Sequence, residues 1–281
     1  MMNQNVKLED IWNVELEILD EIDRLCRENG LRYSLAYGTL LGAIRHHGFI
    51  PWDDDIDIMM PREDYDRLKS IWGEKAKDGF IYMDETMYRD YANNFAKVRK
   101  DHTTFLQFEN ERTCSYHTGF FVDIFPADRL APGRIARKVQ YAEFALNLLY
   151  NRSYTSGANG ARHYAEKFLL GVVPKRSHQK LSNALGRHSR RWNDDSSAQI
   201  VFANDPTALT RYYPPDLFDH LIRVPFQGKE YSVFREYDAV LRLRYGDYMQ
   251  LPPEEERVWR HHPIIVDFEK NYNELSWSKE Q

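Results

Sequence analysis

The chain has 281 residues, 42% of them hydrophobic and 14% aromatic, and a formal net charge of −5. That length allows one large domain or two small ones, with enough apolar residues for a substantial core. The acidic balance argues against a simple nucleic-acid binder, and two distant cysteines, Cys26 and Cys114, argue against a disulfide framework or a cysteine metal site.

The N-terminal stretch MMNQNVKLEDIW has no basic segment followed by an apolar one, so no secretory leader is expected. No apolar run reaches the ~18 residues a spanning helix needs. These features predict a cytoplasmic protein, with peripheral contact at the inner face of a membrane left open.

Residues 8 to about 29 predict an amphipathic helix. Leu8, Ile11, Trp12, Leu16, Leu19, Ile22, Leu25 and Cys26 recur at helical spacing, and Gly30 supplies a stop. Leu31 to Tyr37 predicts a short strand. Gly38 then turns the chain into a helix over Thr39 to about His46. A glycine and a hydroxyl residue at a helix start suit a phosphate, because the unpaired N–H groups and the helix dipole both favour an anion.

The acidic stretch follows. Asp53, Asp55 and Asp57 share one phase, and Asp54, Ile56 and Ile58 the other. A strand sends those phases to opposite faces, so three carboxylates would line one face. Packing like charges so closely calls for a neutralising cation, and hard divalent cations prefer oxygen ligands. A solvated acidic turn is the bland alternative. Further helix is predicted from Pro61 to about Ser70, and strands over Phe80 to Met83 and around Asn94 to Thr104. In the last of these, Lys97 and Arg99 share a face suited to phosphate oxygens, or form an exposed basic edge.

In TGFFVDIFP, Asp123 stands alone within an apolar strand. A carboxylate there is costly unless it is paired or bound to a metal. Beside Asp55 and Asp57 it would complete a two-cation site for phosphoryl chemistry. A buried arginine partner is the alternative.

From Arg129 to Arg191, thirteen Lys and Arg face only Glu143 and Glu166, a net +11. Helices are predicted over Arg134 to about Tyr150, with Ile135, Val139, Ala142, Leu146 and Leu149 as the packing stripe, and over His163 to Gly171. Such a segment suits an anionic partner, or else a face packed on the acidic remainder. A hairpin turning at Gln227-Gly228-Lys229 and a helix from Phe234 to Tyr245 follow. Tyr245, Tyr248, Arg257, His261 and His262 then cluster in sequence, and a loose tail is expected from Asn271.

YGTLLGAIRHHGFIPWDDDIDIMMPREDY, with TGFFVDIFP and YGDYMQLPPEEER, resembles the signature of the LicD family. That family includes bacterial phosphocholine transferases and is similar to the fukutin-type ribitol-phosphate transferases. The resemblance, over about residues 20–126 and 224–263, implies a nucleotidyltransferase-like mixed β-sheet core flanked by helices; the basic middle segment lies outside it. Together with the composition change this predicts an α+β fold divided into residues 1–128 as catalytic core, 129–200 as a basic helical insertion and 201–281 as a part completing the catalytic domain. Asp55, Asp57 and Asp123 would be catalytic. They would bind Mg2+ or Mn2+ with Asp53 close by, and Gly38, Thr39, Arg45, Lys97 and Arg99 would hold the donor. The implied activity moves phosphocholine or a similar phospho-alcohol from CDP-choline or another CDP-alcohol to a glycan, lipid-linked or not, and releases CMP. The rival expectations are a DxD glycosyltransferase and a non-catalytic glycan or membrane binder.

Overall fold

The structure, a computed structural model, describes residues 6–157, 159–202, 211–259 and 262–275. Helix α1 (Leu8–Asn29) buries Ile11, Ile18, Leu19 and Ile22 along one stripe and ends at Gly30, whose φ of 63° is left-handed. Strand β1 is only Ser34–Leu35. It is shorter than predicted because Tyr37, at φ 47°, already starts helix α2 (Tyr37–His46).

Strand β2 (Asp57–Pro61) runs into α3 (Arg62–Lys75), followed by β3 (Phe80–Met83), β4 (Ala96–Lys100), β5 (Thr104–Leu106) and β6 (Phe121–Arg129). Helices α4 (Gly133–Arg152), α5 (Ala161–Val172) and α6 (His178–Ser189) precede β7 (Ile200–Phe202). The hairpin β8 (Leu221–Phe226) and β9 (Lys229–Phe234), helix α7 (Tyr237–Tyr245) and β10 (Ile265–Asp267) complete an α+β fold. Among the described residues, no helix is long and apolar enough to cross a membrane.

The chain divides into two compact units: Met1–Met83, Lys97–Phe125 and Asp216–Gln281 form one, and Asp84–Ala96 with Pro126–Pro215 the other. The central sheet runs in the order β1-β2-β6-β4-β3, and β7 pairs with β6. In the first unit Ser34 lies opposite Met59, and Ile81 opposite Arg99, both in antiparallel pairs. Residues Ile58, Met59, Val98, Val122 and Ile124 from three adjacent strands are at most 1% exposed and belong to its core. The β8–β9 hairpin turns on Gln227 and Gly228, at φ 50° and 75°, as a tight hairpin turn requires. Its strands tie back to the first helix: Arg223 pairs with Asp23, and the Tyr231 hydroxyl donates to Asp20. Asn271 donates to Asp101 and Leu275 is buried, so the expected loose tail is tied down at least to residue 275.

In the second unit, α6 is a helix that the sequence reading did not separate from its surroundings. Helix α4 keeps only the end of its predicted stripe inside, with Leu149 buried and Leu146 half-buried, and turns the start of it outward. Gln140 and Glu143 are buried, whereas Ile135 is 82% exposed and Val139 and Ala142 also face out. The polar side is held by specific bonds. The Gln140 amide donates to the carbonyls of Arg129 and Ser189, Asn147 donates to that of Ser182, and Glu143 pairs with Arg191. Periodicity showed that α4 has two faces. Which face met protein was decided by these hydrogen bonds, which satisfy Gln140 and Glu143.

Candidate active site

The acidic stretch does not begin as a ladder strand: Asp53 to Ile56 precede β2, and of the four aspartates only Asp57 lies in it. The two-residue alternation survives all the same. Asp53, Asp55 and Asp57 are half-buried on one side, and Asp54, Ile56 and Ile58 are buried on the other. The segment is held extended by its neighbours. Asp123 N–H donates to the Ile56 carbonyl at 2.9 Å and Ala36 N–H to that of Asp57 at 2.9 Å. Trp12 Nε1, on α1, donates to the Asp53 carbonyl at 2.8 Å, and its ring stacks on Phe49 at 4.8 Å.

Helix α2 is fitted tightly against this segment. A Cβ on Gly38 would lie 2.6 Å from Asp53 Oδ2, so only glycine leaves room for that carboxylate. Thr39 Oγ1 accepts the Asp57 N–H at 2.8 Å. The predicted Gly-Thr pair therefore does a positional job in the structure: glycine admits Asp53, and threonine fixes where β2 begins.

Asp123 comes up beside them on β6 and meets Lys97 from β4, with Nζ 2.5 Å from Oδ1. Both side chains are buried, and Nζ also sits 3.3 Å from the centre of the Phe121 ring. The buried partner is thus a lysine, not the arginine expected as the alternative, and the basic strand is interior rather than an exposed edge. Arg99 shares the Phe121 face, as its spacing predicted, but donates to the Gly119 carbonyl at 2.6 Å and is buried.

The electrostatics follow from this crowding. Burial, then Asp55, Asp123 and Asp53, raise the Asp57 carboxyl well above the usual range, and Lys97 opposes them only partly. Glu15, on α1, was not singled out from the sequence. It is 1% exposed, both its carboxyl oxygens lack a hydrogen-bond partner, and burial together with Asp55, Asp54, Asp123 and Asp53 raises it strongly. A signal for it did exist: it interrupts the apolar stripe of Ile11, Ile18 and Ile22.

A basic and aromatic rim lies nearby. Arg45 donates to the Tyr248 carbonyl at 2.8 Å; burial and the neighbouring Arg257 lower its guanidinium. The guanidinium of Arg257 sits 5.9 Å from the centre of the Trp52 ring, and that of Arg244 4.3 Å from Tyr37. Burial raises the Tyr245 hydroxyl, and Asp57 and Asp53 are among the charges it feels. His261 lies outside the described residues.

Among the described residues, no three His, Cys, Asp or Glu side chains converge as a ready metal cage. Asp53, Asp55, Asp57 and Asp123 fit a divalent cation by donor type and by charge, since a cation would relieve the repulsion felt at Asp57. Acid on one side and paired guanidiniums on the other make this a site able to take a phosphate-bearing ligand.

Comparison with known sequences bears on the same stretch. Residues 30–143 match the profile described as LicD/FKTN/FKRP, nucleotidyltransferase domain. The chain is 28% identical over 250 residues to the lipopolysaccharide cholinephosphotransferase LicD of Haemophilus influenzae, covering 88% of this chain and 92% of that protein. It is 45% identical over 58 residues to the human ribitol 5-phosphate transferase FKRP, 19% of this chain and 12% of that protein. An uncharacterized protein of Rickettsia prowazekii is 29% identical over 124 residues, 42% of this chain and 47% of that one. The chain thus spans most of the first of these relatives and less than half of the other two.

Proposed function

We propose that the protein is a transferase that moves a phospho-alcohol, phosphocholine first, from a CDP-activated donor to a hydroxyl of a lipopolysaccharide-type glycan. The similarity to a cholinephosphotransferase along most of both chains supports the group transferred and the acceptor class. The observation that carries the chemistry is the meeting of Asp57 on β2 with Asp123 on β6, next to the α2 start that Gly38 and Thr39 lock in place. We read the sheet and its helices as a nucleotidyltransferase-like catalytic core.

In this reading Arg45, with Arg257 near it, and the N-terminal turn of α2 hold the donor's phosphates. A glycan hydroxyl attacks the distal phosphorus in line. Its proton passes to Asp123, which Lys97 orients at 2.5 Å, and the P–O bond to CMP breaks with the electron pair leaving on CMP. Asp53, Asp55, Asp57 and Asp123 would hold Mg2+ or Mn2+, which would supply charge neutralisation for the transferred and leaving oxygens. The protein's own part is positioning. Trp12 and Gly38 place Asp53, and Thr39 places Asp57. Arg99, committed to Gly119, packs on the Phe121 ring.

The test is CMP release from CDP-choline, CDP-ribitol and CDP-glycerol with a glycan acceptor, with Mn2+ and with EDTA. Release from CDP-choline is expected with Mn2+. It should be lost in EDTA and reduced by at least about 10³-fold in Asp57→Asn. Unchanged turnover in Asp57→Asn would overturn the mechanism, and silence with every donor would overturn the function.

A further inference from the structure

Helix α5 of the second unit turns Glu166 inward, with Leu169 and Leu170 half-buried beside it, and holds a second row of apolar side chains outward. Glu166 is buried and accepts from Ser156 N–H at 2.7 Å and from the Ser156 hydroxyl at 2.9 Å. It also pairs with Arg152 at 3.0 Å and Arg162 at 3.1 Å. Burial opposes that charge, yet these partners hold the carboxyl down to about 2. Tyr164, Phe168 and Val172 are 72%, 69% and 62% exposed, with Ala161 and Ala165 exposed among them. At about 100° per residue, Tyr164 and Phe168 each point roughly 160° away from Glu166. The apolar stripe is therefore centred opposite the pinned carboxylate; Lys167, about 80° from that centre, borders it, Arg162 lies on the Glu166 side with its partner, and on α4 Arg134 and Lys138 are exposed beside Ile135 and Val139. Helix α4 shows the same arrangement, with Gln140 and Glu143 in and Ile135 and Val139 out.

A row of large apolar side chains held out in water marks a binding face. An apolar stripe bordered by Lys and Arg is the pattern of a helix lying in the plane of a membrane surface, rings in the acyl boundary and cations at the headgroups. We propose that α5, together with the outward stripe of α4, docks on an anionic lipid surface. Charge selects the occupant: Arg129 to Arg191 is net +11. A second copy of the same face would set +11 against +11, and a soluble polyanion would leave Tyr164 and Phe168 in water. The proposal stands apart from the chemistry proposed above, and its test uses no donor.

The full chain is sedimented with vesicles of phosphatidylcholine alone and with added phosphatidylglycerol. Binding is expected only with the anionic lipid, weakening as salt rises. A Tyr164→Ser/Phe168→Ser/Val172→Ser variant, folded by circular dichroism, should bind at least about tenfold more weakly. A separate Tyr164→Trp reporter should shift its emission to the blue on anionic vesicles. No binding to anionic vesicles, or binding without a blue shift, overturns the proposal. A shift produced equally by soluble polyphosphate makes the face a polyanion site, and a halved solution mass in the triple variant makes it an interface between copies. Either result also overturns the lipid reading.

Discussion

Replacing Gly38 by alanine isolates position from chemistry. The new Cβ would lie 2.6 Å from Asp53 Oδ2, where ordinary contact begins at about 3.4 Å, so the carboxylate must retreat by about 0.8 Å. What it meets is the end of a side chain, and alanine is up to about 1 kcal/mol better than glycine in a helix. Folding stability should therefore stay within about 1 kcal/mol of wild type, a few degrees in Tm. A catalytic group misplaced by that much costs on the order of 10²-fold in rate, or about 2.7 kcal/mol in the barrier. The assay is kcat/KM for CMP release, run beside thermal unfolding of the same preparation. Gly38→Ala with more than about a third of wild-type kcat/KM would refute the reasoning, because Asp53 would then not need its place. So would an inactive variant that had simply unfolded.

Lys97→Met leaves Asp123 buried beside an apolar chain. It should cost about 3 kcal/mol or more in urea unfolding, and Lys97→Met/Asp123→Asn should recover much of that loss. Thr39→Val removes the acceptor of the Asp57 N–H at the mouth of β2 and should cost about 1–2 kcal/mol, while Thr39→Ser stays near wild type; equal losses in the two would show that the hydroxyl does not matter. The Glu15 carboxyl is raised in the folded protein, so ionisation favours the unfolded chain as pH climbs past the ordinary 4.5. In EDTA, Glu15→Gln should then unfold at a higher temperature than wild type at neutral pH, with the difference vanishing below about pH 4.5. An advantage independent of pH would place its cause elsewhere.

Local pattern carried much of the sheet and of the helices. α1, β3 and the hairpin turn at Gln227-Gly228 match their predictions, because spacing and positive-φ residues are properties of neighbours. The phase of Asp53, Asp55 and Asp57 was legible for the same reason, although the ladder starts only at Asp57. The Lys97–Asp123 pair was not, since it depends on β4 lying beside β6, which no local signal specifies. The first half of the α4 stripe was read with the wrong face inward, while Leu149 is buried as predicted: Gln140, Asn147 and Glu143 find partners on residues some 35 to 50 positions away. Glu15 needed the opposite habit, that of treating a lone carboxyl on an apolar stripe as a flag.

The first unit is closed by residues made late. Arg223 and Tyr231 reach Asp23 and Asp20, and the Phe234 N–H reaches Ser34 Oγ, across 200 to 211 positions of chain. On the ribosome, α1 emerges with Asp20 and Asp23 prepared for partners that will not exist until most of the protein has been synthesised. The second unit, whose longest segment is the continuous stretch Pro126–Pro215, is complete before then. Synthesis therefore sets an order, later unit first, and leaves the N-terminal helix waiting for the partners that close its own unit.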